Sequence, residues 1–167
     1  MRPPVRKLAL VAHVGASVGW LGAVAASLAL GLVGLVAADP AVVRAVYLVL
    51  EPVGWSTLVP LSVASLLTGL IQSLGSAWGL ARHYWVLIKL VMNLIATGVL
   101  LLYMQTLGSL AELARAANGG PSLRTPSPVV HAGAAIVLLL VALALSVFKP
   151  RGVTPWSATI WARSPAR

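Results

Sequence analysis

What restricts this chain most is the recurrence of long, almost uncharged apolar stretches, four of them within 167 residues. A hydrocarbon core about 30 Å thick is crossed by about 20 helical residues rising about 1.5 Å each. Stretches of that length fall at about 8–38, 52–74, 84–107 and 128–148, and a tail follows at 149–167. Hydrophobic residues make up 59% of the chain and charged residues 9%, too few to cover a water-facing surface. The expectation is therefore all-α: residues 1–167 as a single transmembrane domain, an integral membrane bundle of four helices.

The first stretch has a competing reading as a secretory signal, because Arg2, Arg6 and Lys7 precede it and Val36, Ala37 and Ala38 resemble a cleavage site. A signal core is about 7–15 residues long, and this stretch is about twice that, so it reads as a span. Asp39 and Pro40 break the chain and start the next helix. Residues 41–50 read as a short outer segment with Arg44 at the interface, and the second span follows from Pro52, kinked at Pro60. The loop 75–83 carries Trp78 and Arg82, and Asn118, Gly119, Gly120 and Pro121 mark a flexible connection. Trp156 and Trp161 in the tail suit the headgroup level.

The net charge is +9, from twelve Lys and Arg against Asp39, Glu51 and Glu112. These cations flank the apolar stretches and form no basic-aromatic module, which argues against nucleic acid as a partner. With a cytoplasmic N-terminus, the inner side receives Arg2, Arg6, Lys7, Arg82, Lys149, Arg151, Arg163 and Arg167, and the outer side only Arg44, Arg115 and Arg124. That asymmetry follows the positive-inside rule, so both termini are expected to be cytoplasmic. There is no cysteine, hence no disulfide, thiolate metal site or Cys nucleophile. No His-Glu-x-x-His run, phosphate loop or Gly-x-Ser-x-Gly elbow is present, and carboxylates are too few for paired acid–base chemistry.

Ionisable groups inside a span cost about 2.5–3.5 kcal/mol at its centre and usually mark a site. Here they are His13, Glu51, Lys89 and His131, with Gln72 and Asn93 as neutral companions. Helical spacing puts His13, Ser17 and Trp20 on one stripe, Lys89, Asn93 and Thr97 on another, and Glu51, Trp55, Ser62, Ser65, Gly69 and Gln72 on a third. His13 and Lys89 both fall roughly 7–8 Å inside the cytoplasmic boundary, whereas Glu51 and His131 fall near the opposite face. Two sites follow: an inner one around His13 and Lys89, and an outer pair of Glu51 with His131 as metal candidates. Each residue also has a plainer role. His13 and His131 suit a packing histidine, and His13 a proton relay as well; Lys89 suits a snorkelling cation, Glu51 a solvated acid at a helix start, and Trp20 a cross-bundle hydrogen bond. Gly15 and Gly19 form a small-xxx-small pair, a candidate face for oligomerisation or for docking on a larger complex as an accessory subunit.

The runs HVGASVGWLGAV at 13–24, PLSVASLLTGL at 60–70 and YWVLIKLVMNLI at 84–95 resemble small four-helix bacterial membrane proteins. These are the copper-resistance-D-like proteins, their uncharacterised relatives and the membrane-type protoporphyrinogen oxidases. The resemblance rests on a His in the first span, a Trp seven residues on and a Lys after an aromatic in a later span, matched by His13, Trp20 and Lys89. The ending FKPRGVTPW at 148–156 looks most like the uncharacterised branch. The resemblance implies a haem b or copper site near His13, or a porphyrin substrate; joined to the shared depth of His13 and Lys89, it leads to the expectation of a haem b or similar redox group with Trp20, Lys89 and Asn93 around it, exchanging electrons with quinone in a bacterial cytoplasmic membrane. The porphyrinogen oxidases carry bulky aromatic and Arg residues directly after the Trp; here LGAVAASLALG follows, so the resemblance points to haem binding or copper handling. Copper or small-solute transport along the polar stripes is the alternative, with Pro60 the one hint of a broken helix.

Overall fold

A computed structural model describes residues 2–75, 83–116, 123–150, 152, 154 and 155. The loop residues Trp78 and Arg82, the connection from Asn118 to Ser122 and the tail residues Arg151, Trp156, Trp161, Arg163 and Arg167 lie outside the described residues. Five α-helical segments, α1 (Pro3–Val36), α2 (Pro40–Val53), α3 (Val59–Leu74), α4 (Tyr84–Ala116) and α5 (Ser127–Phe148), make four helices long and apolar enough to cross a membrane. α2 and α3 form one of these, Pro40–Leu74, joined by a π-turn at Gly54–Leu58.

Local chemistry explains where the helices start and stop. Pro3 and Pro4 open α1, where a missing N–H costs nothing. After Val36 the chain turns in three residues, and the Asp39 side chain accepts a hydrogen bond from the Ala41 N–H at 2.8 Å, capping α2 with Pro40 in its first turn. Residues 41–50 are thus the first turns of the second spanning helix rather than a separate outer segment. α5 ends at Lys149, which adopts the left-handed conformation at φ 43° ahead of Pro150.

The second helix changes its winding where Pro60 cannot donate. Pro60 lacks the N–H that would bond the Ser56 carbonyl, and its ring crowds that carbonyl. The ladder relaxes there, and the Val59 N–H reaches back five residues to the Gly54 carbonyl. The extra residue rotates everything before it relative to everything after. Ser62 and Ser65 are buried at 0% and 2% exposure, whereas Trp55, which unbroken helical spacing puts on the same stripe, is 53% exposed. Gly54 also admits the next span: a Cβ there would lie 2.6 Å from Met104 Sδ.

Neighbours in sequence are neighbours in space. α1 packs on α2, α3 and α5, and α4 packs on α2, α3 and α5, so the four spans close into a ring. Gly31 of α1 meets Pro128 and Val129 at the start of α5, Gly34 meets Val46 and Tyr47 of α2, and His13 meets Gly69 of α3, so the spans alternate in direction. One core cluster, around Tyr47, Leu50, Met104 and Leu107, fills the end where α2 begins; a second, around Trp20, Val24 and Leu58, fills the middle. Apolar residues also face outward, Val137 at 63%, Val147 at 66% and Phe148 at 81% exposure, as suits a lipid surround.

Candidate functional site

His13 lies on the face of α1 that packs against α3. Its Nδ1 lies 3.1 Å from the Ser65 carbonyl oxygen and 3.1 Å from Thr68 Oγ1. A carbonyl only accepts, so Nδ1 carries the proton, and in the neutral ring Nε2 keeps its lone pair. Thr68 gives its own hydroxyl proton to the Ala64 carbonyl at 2.6 Å and so serves His13 as an acceptor. The ring fits because residue 69 is glycine: a Cβ there would stand 2.9 Å from His13 Cε1. One turn deeper, the Ser17 and Ser65 hydroxyls meet at 2.8 Å and tie α1 to α3 again.

Lys89 of α4 is partly buried and close enough for its charge to act on the His13 ring. Its Nζ stands 5.5 Å from the centre of the buried Trp85 ring, one turn nearer the start of α4. A cation over an indole face is stabilised by about 0.5–2 kcal/mol, so this contact holds Lys89 toward the end of the bundle where the chain begins. Gln72 Oε1, Asn93 Oδ1 and Thr97 Oγ1 are buried without a hydrogen-bond partner among the described residues. His13, Gln72, Lys89, Asn93 and Thr97 are the polar residues of this region: Gln72 follows Gly69 by about one turn on α3, and Asn93 and Thr97 follow Lys89 by about one and two turns on α4.

Trp20 does not join that region. Two turns further along α1, it is 1% exposed in the middle cluster, and its Nε1–H has no partner, so the expected cross-bundle hydrogen bond is absent among the described residues. Spacing along α1 put it on the His13 stripe, but about 10 Å of helix rise separates the two.

Glu51 and His131 are drawn to different neighbours. Glu51 Oε2 accepts from Arg115 Nη2 at 2.6 Å, with Gly108 of α4 alongside. His131 Nδ1 donates to the Ser127 carbonyl at 2.9 Å, and its ring stacks on Tyr103 at 3.9 Å and 17°. Gly108 and Tyr103 are five residues apart, about 140° around α4, so the expected outer pair is not formed. Ser27 of α1 shares a cavity wall with Pro128 and His131, which puts His131 roughly 20 Å along the helices from His13. No group of three His, Asp or Glu side chains converges among the described residues. His83 lies 6.4 Å from Trp85, ring centre to ring centre, at the start of α4.

Two further cations satisfy helix ends. Arg44 Nε donates to the Ala114 carbonyl at 2.6 Å, in the last turn of α4. Arg124 reaches the Leu35 and Ala38 carbonyls, where α1 ends, at 3.4 and 3.3 Å. Helix C-termini carry unpaired carbonyls and negative potential, so both arginines are well matched there. Sequence reasoning found the cations but not these carbonyl partners, since backbone groups leave no mark in a sequence.

Fold and polar region together define a multi-pass, four-span helical bundle with a tethered histidine toward one end. No protein-family model matches the chain, and neither a curated protein nor a solved structure matches it.

Proposed function

We propose that this chain is a multi-pass protein of a bacterial cytoplasmic membrane, both termini cytoplasmic, that holds a haem b or a comparable redox group at His13. The observation that carries the reading is the tethered imidazole. Metal-ligating histidines characteristically donate one ring N–H to a carbonyl and present the other nitrogen, and His13 does the first through Ser65. Lys89 supplies a cation for an anionic edge such as a propionate, and Asn93, Gln72 and Thr97 supply oxygens still in want of partners. A haem bound there would bring one-electron chemistry; His13 would orient it and Lys89 would balance the charge of a propionate. Copper would call for further ligating side chains beside His13, and no group of three His, Asp or Glu side chains converges among the described residues.

The test is an absorption spectrum, oxidised and reduced, of detergent-purified protein from cells supplied with haem precursors. A Soret band that disappears in His13→Ala, with helix content by circular dichroism unchanged, is the expected result. Wild-type protein without a Soret band removes the reading.

A further inference from the structure

A second region of the bundle has the form of a ligand site. A cavity of about 210 Å3 lies between α1, the π-turn, α4 and α5, walled by Trp20, Leu58, Ala96, Tyr103, His131 and Ala135 among others. It opens sideways. Ile95 and Val99 on its rim are 54% and 47% exposed, and α4 and α5 are the least closely packed pair of neighbouring spans. In a bilayer that mouth faces lipid, so the occupant arrives from the membrane and not from water.

Size and lining narrow its chemistry. The volume exceeds the roughly 150 Å3 that admits benzene and falls short of the roughly 300–1,000 Å3 of drug-sized sites, which suits one ring or two fused rings. No Lys, Arg, Asp or Glu lines it, so the occupant is uncharged. Yet the lining is not wholly apolar. The Trp20 indole in the wall has a buried donor without a partner among the described residues. At the mouth, His131 has committed Nδ1 to the Ser127 carbonyl, which leaves Nε2 of the neutral ring as an acceptor, and its stack on Tyr103 makes a flat aromatic surface. An alkyl chain uses neither group; a flat ring bearing oxygens can use both, a carbonyl or hydroxyl oxygen accepting from Trp20 and a hydroxyl donating to His131 Nε2.

We propose that this cavity binds the ring of an isoprenoid quinone or quinol, with the tail leaving between α4 and α5 into the bilayer. The site stands apart from His13 and does not require a haem there. To test it, the detergent-purified chain is titrated with a benzoquinone bearing a short alkyl tail and, under reducing conditions, with the corresponding quinol, and quenching of tryptophan emission is followed. Saturable quenching is expected with both, weakened about tenfold or more by Ala135→Phe, which fills the cavity, and for the quinol about tenfold by His131→Ala, which removes the acceptor of its hydroxyl proton without adding bulk. His13→Ala leaves it unchanged, which separates this site from the proposed haem site. Unsaturable quenching, equal affinity in wild type and both variants, or displacement by a ring-free alkyl lipid as readily as by a second quinone overturns the proposal.

Discussion

A methyl group at position 69 would lie 2.9 Å from His13 Cε1, closer than carbon atoms approach without a shift. The ring is held by Ser65 and Thr68 and cannot swing aside without losing those bonds. Gly69→Ala is therefore expected to displace His13 and abolish the Soret band as His13→Ala does, though the histidine remains; an undiminished band would show that ring position is immaterial. Thr68→Val removes one of two acceptors, a change of about 1 kcal/mol, and should leave most of the band in the same spectrum. At this scale the sequence was partly legible. His13, Lys89 and Asn93 stand out because titratable and amide side chains are rare in apolar helices, and the structure adds the Ser65 and Thr68 partners that hold the first of them. Glu51 and His131 stand out for the same reason but are claimed by Arg115 and Tyr103, partners set by helix rotation, which no spacing within a single helix records.

Among the elements, the π-turn has the largest effect on what periodicity can tell. Stripes on α1 and α4 extend without interruption, but a stripe drawn from Glu51 to Gln72 crosses Gly54–Leu58 and comes out on the wrong face at one end. Since a π-turn amounts to one residue inserted in an α-helix, deleting the exposed Ser56 should return the segment to α-helical spacing, with the Pro60 hydrogen bond still missing, and keep the Tyr47 and Ser65 faces in register. The expected product is folded, with a thermal midpoint in detergent close to that of the wild type; aggregation on purification would mean that the wide turn is itself required. Lys149 is a simpler case. A non-glycine residue at φ 43° costs about 1 kcal/mol, so Lys149→Gly should raise the same midpoint slightly if the loss of its side chain costs less than that.

For the molecule as a whole, the four spans were plain in the sequence because hydrophobic length is a coarse quantity that survives any error of register. Their cyclic order was not, since it depends on connections and contacts that composition does not encode. Orientation is open to direct measurement, because a chain with no cysteine accepts a single reporter. Ala38→Cys, in the turn between the first two spans, should react with a membrane-impermeant maleimide added to intact spheroplasts, and Gly152→Cys only after permeabilisation; the reverse pattern would invert the proposed topology.

The three residues between Val36 and Pro40 also bear on biogenesis. So short a link cannot let one helix rest in lipid while the next waits far away in water, so the first two spans must integrate as a paired hairpin. Arg44, near the start of the second span, finds its carbonyl on α4 only once the third span is in place, so that span supplies the acceptor this cation lacks until then.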